Sequence, residues 1–190
     1  MKKLDSEQLL ETAIQSTKNA GMHALREKDR KNQTIEISPH DVKLVLDIEC
    51  RKIAEKTILD CFPAHKIIGE EGNSDSSESD YKWIIDPIDG TVNYSHGFPH
   101  WCCSIAVQYK KKTIAGVVFA PELNYLFSAT IDGVAKLNDK IISTSQAEEL
   151  SKSLVFTGLN QREKNKISPT FDALKELALN TQKVRITGSC

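Results

Sequence analysis

No apolar run in this chain approaches the ~20 residues that a membrane-spanning helix requires. The N-terminus, Met1-Lys-Lys-Leu-Asp-Ser, leads into a polar amphipathic segment where a secretory leader would carry an apolar core. An excess of one charge is lacking too: 25 Lys and Arg stand against 26 Asp and Glu, for a formal net charge of −1. That balance leaves no basic footprint for a nucleic acid polymer or an anionic membrane as partner. No basic run is interleaved with aromatics, and Lys110-Lys111-Lys112 reads as a hairpin turn. Cysteine is sparse and odd in number, with Cys50, Cys61, Cys102, Cys103 and Cys190 forming no C-x-x-C pair. A disulfide framework or a zinc site is therefore poorly supported, and a reducing, cytoplasmic setting is the expectation.

What is present suits a folded domain. Of 190 residues, 39% are hydrophobic and 27% charged, enough to bury a core as one domain or one domain and part of another. From Ser6 to Lys28, apolar or small residues recur at Leu10, Ala13, Ile14, Thr17, Gly21, Ala24 and Leu25, which is helical spacing, with Asp5 or Ser6 as cap. His23 reads as a surface or boundary histidine. A short strand over Thr34–Ile37 precedes Ser38-Pro39-His40-Asp41, which reads as the entry to a second helix. Its stripe is Ile48, Ile53, Ala54, Thr57, Ile58 and Cys61, ending before Pro63. Three β-rich runs, Trp101–Tyr109, Thr113–Ala120 and Tyr125–Thr130, are separated by turn-like segments and read as consecutive antiparallel strands. Val134–Leu137 and Lys140–Ile142, joined through Asn138-Asp139, suggest a further hairpin. If residues 101–109 form a strand, Cys102 and Cys103 face opposite ways and at most one is core. The pattern then changes to strand (Leu154–Thr157), helix (Pro169–Leu179) and strand (Val184–Thr187), the start of an α/β unit.

The chemistry concentrates in residues 66–94. Two short apolar runs each end in acidic residues: Glu70 and Glu71 follow Ile67-Ile68, and Asp86 and Asp89 follow Ile84-Ile85. Four carboxylates repel one another unless a cation sits among them, and hard oxygen ligands of this kind suit Mg²⁺. Pro87 removes a backbone donor and is expected to take the chain out of its strand at Asp86. On either side of that turn, Asp86, Asp89 and the Ile88 carbonyl can face one point. Gly90 permits close backbone approach, and Thr91–Tyr94 can open a short helix whose N–H groups face the same point, a seat for a phosphate. The Thr91 hydroxyl can orient a water there. Asp-Pro-x-Asp-Gly alone reads equally as a surface turn. The two preceding strand patterns weigh against that.

Gly69-Glu70-Glu71 with Trp83-Ile-Ile-Asp-Pro-Ile-Asp-Gly-Thr-Val-Asn-Tyr94 resembles the signature of the inositol monophosphatases, within the wider Mg²⁺-dependent, lithium-sensitive phosphomonoesterases. The resemblance implies a layered αβαβα sugar-phosphatase fold (α+β/α/β), hydrolysis of a small-molecule phosphate monoester and a homodimer. It places Glu70, Asp86 and the Ile88 carbonyl on one Mg²⁺, Asp86 and Asp89 on a second, and Glu71 as an auxiliary metal residue. Glu70 and Thr91, the latter oriented by Asp47, then act on the attacking water. Asp47 matches the last residue of the family's Asp-Leu-Val-Thr-x-x-Asp segment; on the residues alone, its charge is equally explained by a helix start. Two departures stand out: Leu44 where the family has Thr, and Glu36 where many members have Lys.

Gly188-Ser189-Cys190 corresponds to a segment lining the family's substrate pocket, with Asp89, Gly90 and Thr91 on its other side. A downstream Trp-Asp segment that carries a further metal carboxylate has no counterpart here. The expectation is an α+β metal-binding part over residues 1–150 and the beginning of an α/β part, incomplete, over 151–190. Three functions follow as alternatives. They are an inositol monophosphatase, a phosphatase for a nucleotide 3′,5′-bisphosphate or sugar bisphosphate, and an inactive fragment or pseudoenzyme serving as a binding or dimerising module.

Overall fold

The computed structural model describes residues 6–38, 41–69, 72–73, 79–158 and 164–189. Its centre is an eight-stranded sheet in the order β10-β9-β8-β7-β6-β5-β3-β4. The strands are β3 (Lys66–Gly69), β4 (Gly72–Asn73), β5 (Tyr81–Asp89), β6 (Cys102–Tyr109), β7 (Lys112–Ala120), β8 (Tyr125–Thr130), β9 (Lys136–Leu137) and β10 (Lys140–Ile141). Every neighbouring pair is antiparallel except β3 with β5, which is parallel. The turns are those the sequence implies: Lys110 and Lys111, then Asn138 and Asp139, all take positive φ, the conformation of tight two-residue hairpins.

Helices α1 (Ser6–Arg26) and α2 (Val45–Cys61) cover one face of this sheet, α1 over β6 to β8 and α2 over β5. They cross on small residues. Ala13, Ser16, Thr17 and Ala20 of α1 are buried, as are Cys50 and Ala54 of α2. The Ser16 hydroxyl donates to the Ala54 carbonyl at 3.0 Å and the Cys50 thiol to the Ala20 carbonyl at 3.4 Å. Gly21 lets α1 press onto the sheet, since a Cβ there would stand 2.8 Å from a Phe119 ring carbon. Trp83, Ile85, Ile105, Val107, Val117 and Phe119 complete the core from the sheet side. In α2 the buried line is Leu46-Cys50-Ala54-Ile58. Of the expected stripe, Ala54 and Ile58 are buried, Ile48, Ile53 and Thr57 are half-buried and Cys61 is exposed, and α2 begins later than expected, at Val45.

That later start has a local cause. Residues 41–44 form β2 (Asp41–Leu44), which pairs with β1 (Thr34–Ser38) and sets Glu36 opposite Lys43. The negative Glu36 thus has a cation as its cross-strand neighbour. Leu44 stays extended as the cap residue of α2, and its N–H donates to the Asp47 carboxylate at 2.9 Å. This is half of a capping box. Leu44 has no hydroxyl to return the second bond, an interaction of about 1 kcal/mol, but its side chain is fully buried.

Beyond the large sheet, β11 (Leu154–Thr157) and β12 (Lys183–Ile186) pair in parallel and are connected through α4 (Lys164–Asn180). Pro169 lies inside α4 instead of opening it. Its missing N–H removes one bond from an exposed turn, a cost the helix tolerates there. Cys102 and Cys103 are both buried. Cys103 faces the helices. Cys102, on the opposite face of β6, has its thiol 3.5 Å from Asp89 Oδ2.

One aromatic stack crosses the rim of the sheet. His65 lies between Phe62 and Tyr81, each with ring centroids 4.6 Å away, and its Nδ1 accepts from Trp83 Nε1 at 3.0 Å. Burial lowers the His65 pKa from its ordinary value. The fold therefore binds the neutral ring, so its stabilisation is complete above the unfolded value of about 6.5 and falls away as pH drops through it. The urea midpoint is expected to fall between pH 7.5 and 5.5, and His65→Gln, uncharged throughout, should show a flatter profile over that range.

Candidate functional site

The decisive local feature is a bulge in β5. Asp86 pairs with Ser104 and Asp89 with Cys102, so three steps along β5 match two along β6. Residues three apart on a regular strand point to opposite faces; Ser104 and Cys102, two apart, share one. The extra residue in Pro87-Ile88 therefore turns Asp86 and Asp89 to the same side, away from α1 and α2. The chain does not leave the strand at Asp86, as Pro87 suggested. Among the described residues β3 pairs with β5 as far as Gly69 opposite Ile85, so no described strand meets Pro87 on that flank. The Ile88 side chain, 1% exposed, pins the bulge into the core.

Gly90 follows at φ +84° and caps the six-residue α3 (Thr91–His96). A Cβ at Gly90 would stand 2.9 Å from Ser189 Cβ and 3.1 Å from the His100 carbonyl oxygen, so the close approach read from the sequence is real. The Thr91 hydroxyl donates to the Ile88 carbonyl at 2.8 Å. Its proton is thus committed to a neighbouring backbone group, while the Asp47 carboxylate accepts from the Leu44 N–H. Asp47 still reaches α3 electrostatically: after burial and Cys50, its charge helps hold the Tyr94 hydroxyl pKa above the usual range. That hydroxyl donates to the Ala24 carbonyl at 2.8 Å, tying α3 to α1.

The segment after β12 closes the site. Ser189 Oγ lies 2.6 Å from Asp89 Oδ2, and the Cys102 thiol lies 3.5 Å from the same oxygen. Asn93 donates from its amide nitrogen to the carbonyls of His100 and Thr187, both at 2.8 Å. His100 lies beside the site, whereas the His96 side chain is exposed. A cavity of about 660 Å³ opens next to Ser189, between the uncovered face of the large sheet and the β11–β12 pair. Trp101, Cys102, Tyr125, Phe127 and Phe156 wall it.

Of the expected site residues, the fold sets Ile88, Asp89, Gly90, Thr91 and Ser189 around one turn, with Asp86 at the start of the bulge that leads into it and Gly188 beside Asn93. Glu70, Glu71 and Cys190 lie outside the described residues. Among the described residues no three His, Cys, Asp or Glu side chains converge as a metal cluster. Two carboxylates on one face, a backbone carbonyl between them and a glycine beyond form a hard-oxygen donor set that fits Mg²⁺. Three participants escaped the sequence reading. Asn93 lay inside the motif without a role, although an amide in the first turn of a helix is a signal for backbone bridging. Cys102 gave no signal. Arg51, paired through Nε with Glu55 at 2.7 Å, lays its guanidinium where a Gly69 Cβ would be. Only the i,i+4 spacing of Arg51 and Glu55 hinted at it.

The model of the inositol monophosphatase family matches residues 5–190. The chain belongs to the inositol monophosphatase family. It is 37% identical over 193 residues to inositol monophosphatase 3 of Solanum lycopersicum, covering 97% of this chain and 70% of that one. It is 33% identical over 184 residues to Nus factor SuhB of Vibrio cholerae, covering 95% and 69%. Among solved structures, the inositol monophosphatase of Anabaena superposes with a TM-score of 0.83 at 28% identity, covering 96% of this chain and 68% of the other. The layered αβαβα fold follows from that likeness, and family membership makes the chain a phosphomonoester hydrolase.

Gly90 supplies a direct test of the inositol monophosphatase turn. Gly90→Ala forces an L-residue to positive φ, a strain of about 1–3 kcal/mol, and drives a methyl toward Ser189 and His100. A lower urea midpoint together with a loss of kcat/KM is expected; an unchanged midpoint would mean that the turn relaxes without cost.

Proposed function

We propose that this chain hydrolyses myo-inositol monophosphate to inositol and phosphate with Mg²⁺ bound between Asp86, Asp89, the Ile88 carbonyl and Glu70, and with Glu71 auxiliary. The observation that carries this reading is the bulge at Pro87-Ile88, which gives both aspartates one face beside Gly90. Bound Mg²⁺ supplies a water of lowered pKa and neutralises phosphoryl charge. The chain's own residues do the rest. Asp86 and Asp89 present a preorganised negative pair, because the bulge and the Ile88 anchor fix their directions. Gly90 leaves backbone exposed to a phosphoryl group, and the Gly90 and Thr91 N–H groups are directed donors for its oxygens. Glu70 and the Thr91 hydroxyl orient the attacking water once the hydroxyl turns from the Ile88 carbonyl toward Asp47. Gly188, Ser189 and Cys190 border the leaving group.

Lithium sensitivity, a cytoplasmic homodimer and a two-part organisation at residues 1–150 and 151–190 belong to the same proposal. No helix among the described residues is long and apolar enough to cross a membrane. A second reading, hydrolysis of a nucleotide 3′,5′-bisphosphate, is favoured by the cavity beside Ser189. Its exposed walls at Tyr125, Phe127 and Phe156 stack a base better than they hydrogen-bond a polyol.

Phosphate release from inositol 1-phosphate and from adenosine 3′,5′-bisphosphate, each with and without Mg²⁺, separates the two readings. Release from neither, together with no heat of Mg²⁺ binding, would leave only a binding module. Asp86→Asn is expected to lower Mg²⁺-dependent turnover by about a hundredfold or more and to weaken Mg²⁺ binding in calorimetry. Near-normal kcat would reject Asp86 as a ligand.

A further inference from the structure

We infer that the Asn93 amide is a two-pronged clamp that positions the 187–189 segment over the Asp89-Gly90 turn, making Asn93 a positioning residue for substrate binding. The inference rests on the phosphatase reading for its kinetic consequence and on geometry alone for its structural one.

Asn93 sits near the start of α3 with both amide protons in use. One Nδ2 lies 2.8 Å from the His100 carbonyl and 2.8 Å from the Thr187 carbonyl. Both partners only accept, so the nitrogen and not the oxygen must face them. A primary amide alone among short side chains offers two protons from one atom; Ser offers one and Asp none.

The two carbonyls belong to distant parts of the chain. His100 ends the loop after α3, and its oxygen packs where a Gly90 Cβ would be, 3.1 Å from that point. Thr187 follows β12, the last strand of the parallel pair. Gly188 comes next at φ +73°, and a Cβ there would touch the Asn93 amide at 3.4 Å and 3.5 Å. The positive φ turns the chain back, with room left for the Asn93 amide, so that Ser189 Oγ arrives 2.6 Å from Asp89 Oδ2. The Asn93 backbone is itself anchored: its carbonyl accepts from the Phe98 N–H at 2.8 Å. A single side chain therefore joins the turn that carries Asp89 to the segment that borders the leaving group.

Loss of the clamp should loosen that segment without dismantling the aspartate pair, whose directions are set by the bulge. Substrate binding is then impaired more than the chemical step, which separates positioning from catalysis. Asn93→Asp replaces the donor by a carboxylate facing two carbonyls; Asn93→Ser retains one donor on a shorter arm. Amide hydrogen exchange across residues 97–101 and 187–189 is compared in the wild type and both variants, without metal, with exchange in β5 to β8 as the control for folding. KM and kcat for inositol 1-phosphate are then measured with Mg²⁺.

Exchange at both segments should accelerate by about tenfold or more in Asn93→Asp and by less in Asn93→Ser, with β5 to β8 still protected. KM should rise by about tenfold while kcat falls by less than about threefold. Unchanged exchange at 187–189, or a fall in kcat with KM unchanged, overturns the clamp. Should Asn93→Asp lose protection throughout, Asn93→Ser decides by the same criteria. If the wild type releases no phosphate from any ester, the phosphatase reading fails, and the exchange comparison still decides the clamp.

Discussion

Everything in the site depends on one extra residue in one strand. Two carboxylates held on the same face of a sheet repel, and a regular strand avoids the problem by sending residues three apart to opposite sides. The bulge at Pro87-Ile88 overrides that rule, and the buried Ile88 side chain keeps it from relaxing. The pair is held in a rigid place, beside a glycine that admits other groups closely. Two carboxylates so directed are hard oxygen ligands of the kind a divalent cation takes.

The fold supplies rigidity through its helix layer. Small residues bring α1 and α2 into close contact, and Gly21 lowers α1 onto Phe119, so the sheet face beneath them is a continuous core. The other face carries the aspartates, the Cys102 thiol and the cavity walls. One sheet thus divides its labour by the alternation of its side chains: odd positions of β6 from Cys103 to Val107 build the core, and Cys102 and Ser104 face the chemistry.

Much of this is legible in the residues. Helical spacing locates α1, turn chemistry locates the hairpins at Lys110-Lys111 and Asn138-Asp139, and the acidic motif locates the site. The failures have physical causes. Pro87 reads as the end of a strand because a proline cannot donate to a ladder, but it sits inside the bulge, between the Asp86–Ser104 and Asp89–Cys102 pairs, where the ladder is interrupted anyway. The composition of residues 38–41 suits a helix entry, yet Ile37 pairs with Val42, and that pairing keeps residues 41–44 in a strand. Alternation predicts one exposed side for the Cys102-Cys103 pair; Cys102 is instead buried beside Asp89, whose carboxylate also takes the Ser189 hydroxyl, and no local pattern reports a residue from the far end of the chain. Asn93 is hidden for the same reason, since Thr187 lies 94 positions away.

Tyr94 carries a wider consequence. Its ring meets Trp101 edge-on at 4.9 Å and its hydroxyl reaches the Ala24 carbonyl, so the short helix bearing Thr91 is moored to the far end of the first long helix. A surface loop with a functional turn can usually drift in evolution independently of the scaffold beneath it. Here the mooring forbids that freedom: residues around Ala24, remote from any substrate, inherit the tolerance limits of the reaction centre, and neutral variation is expected to accumulate elsewhere.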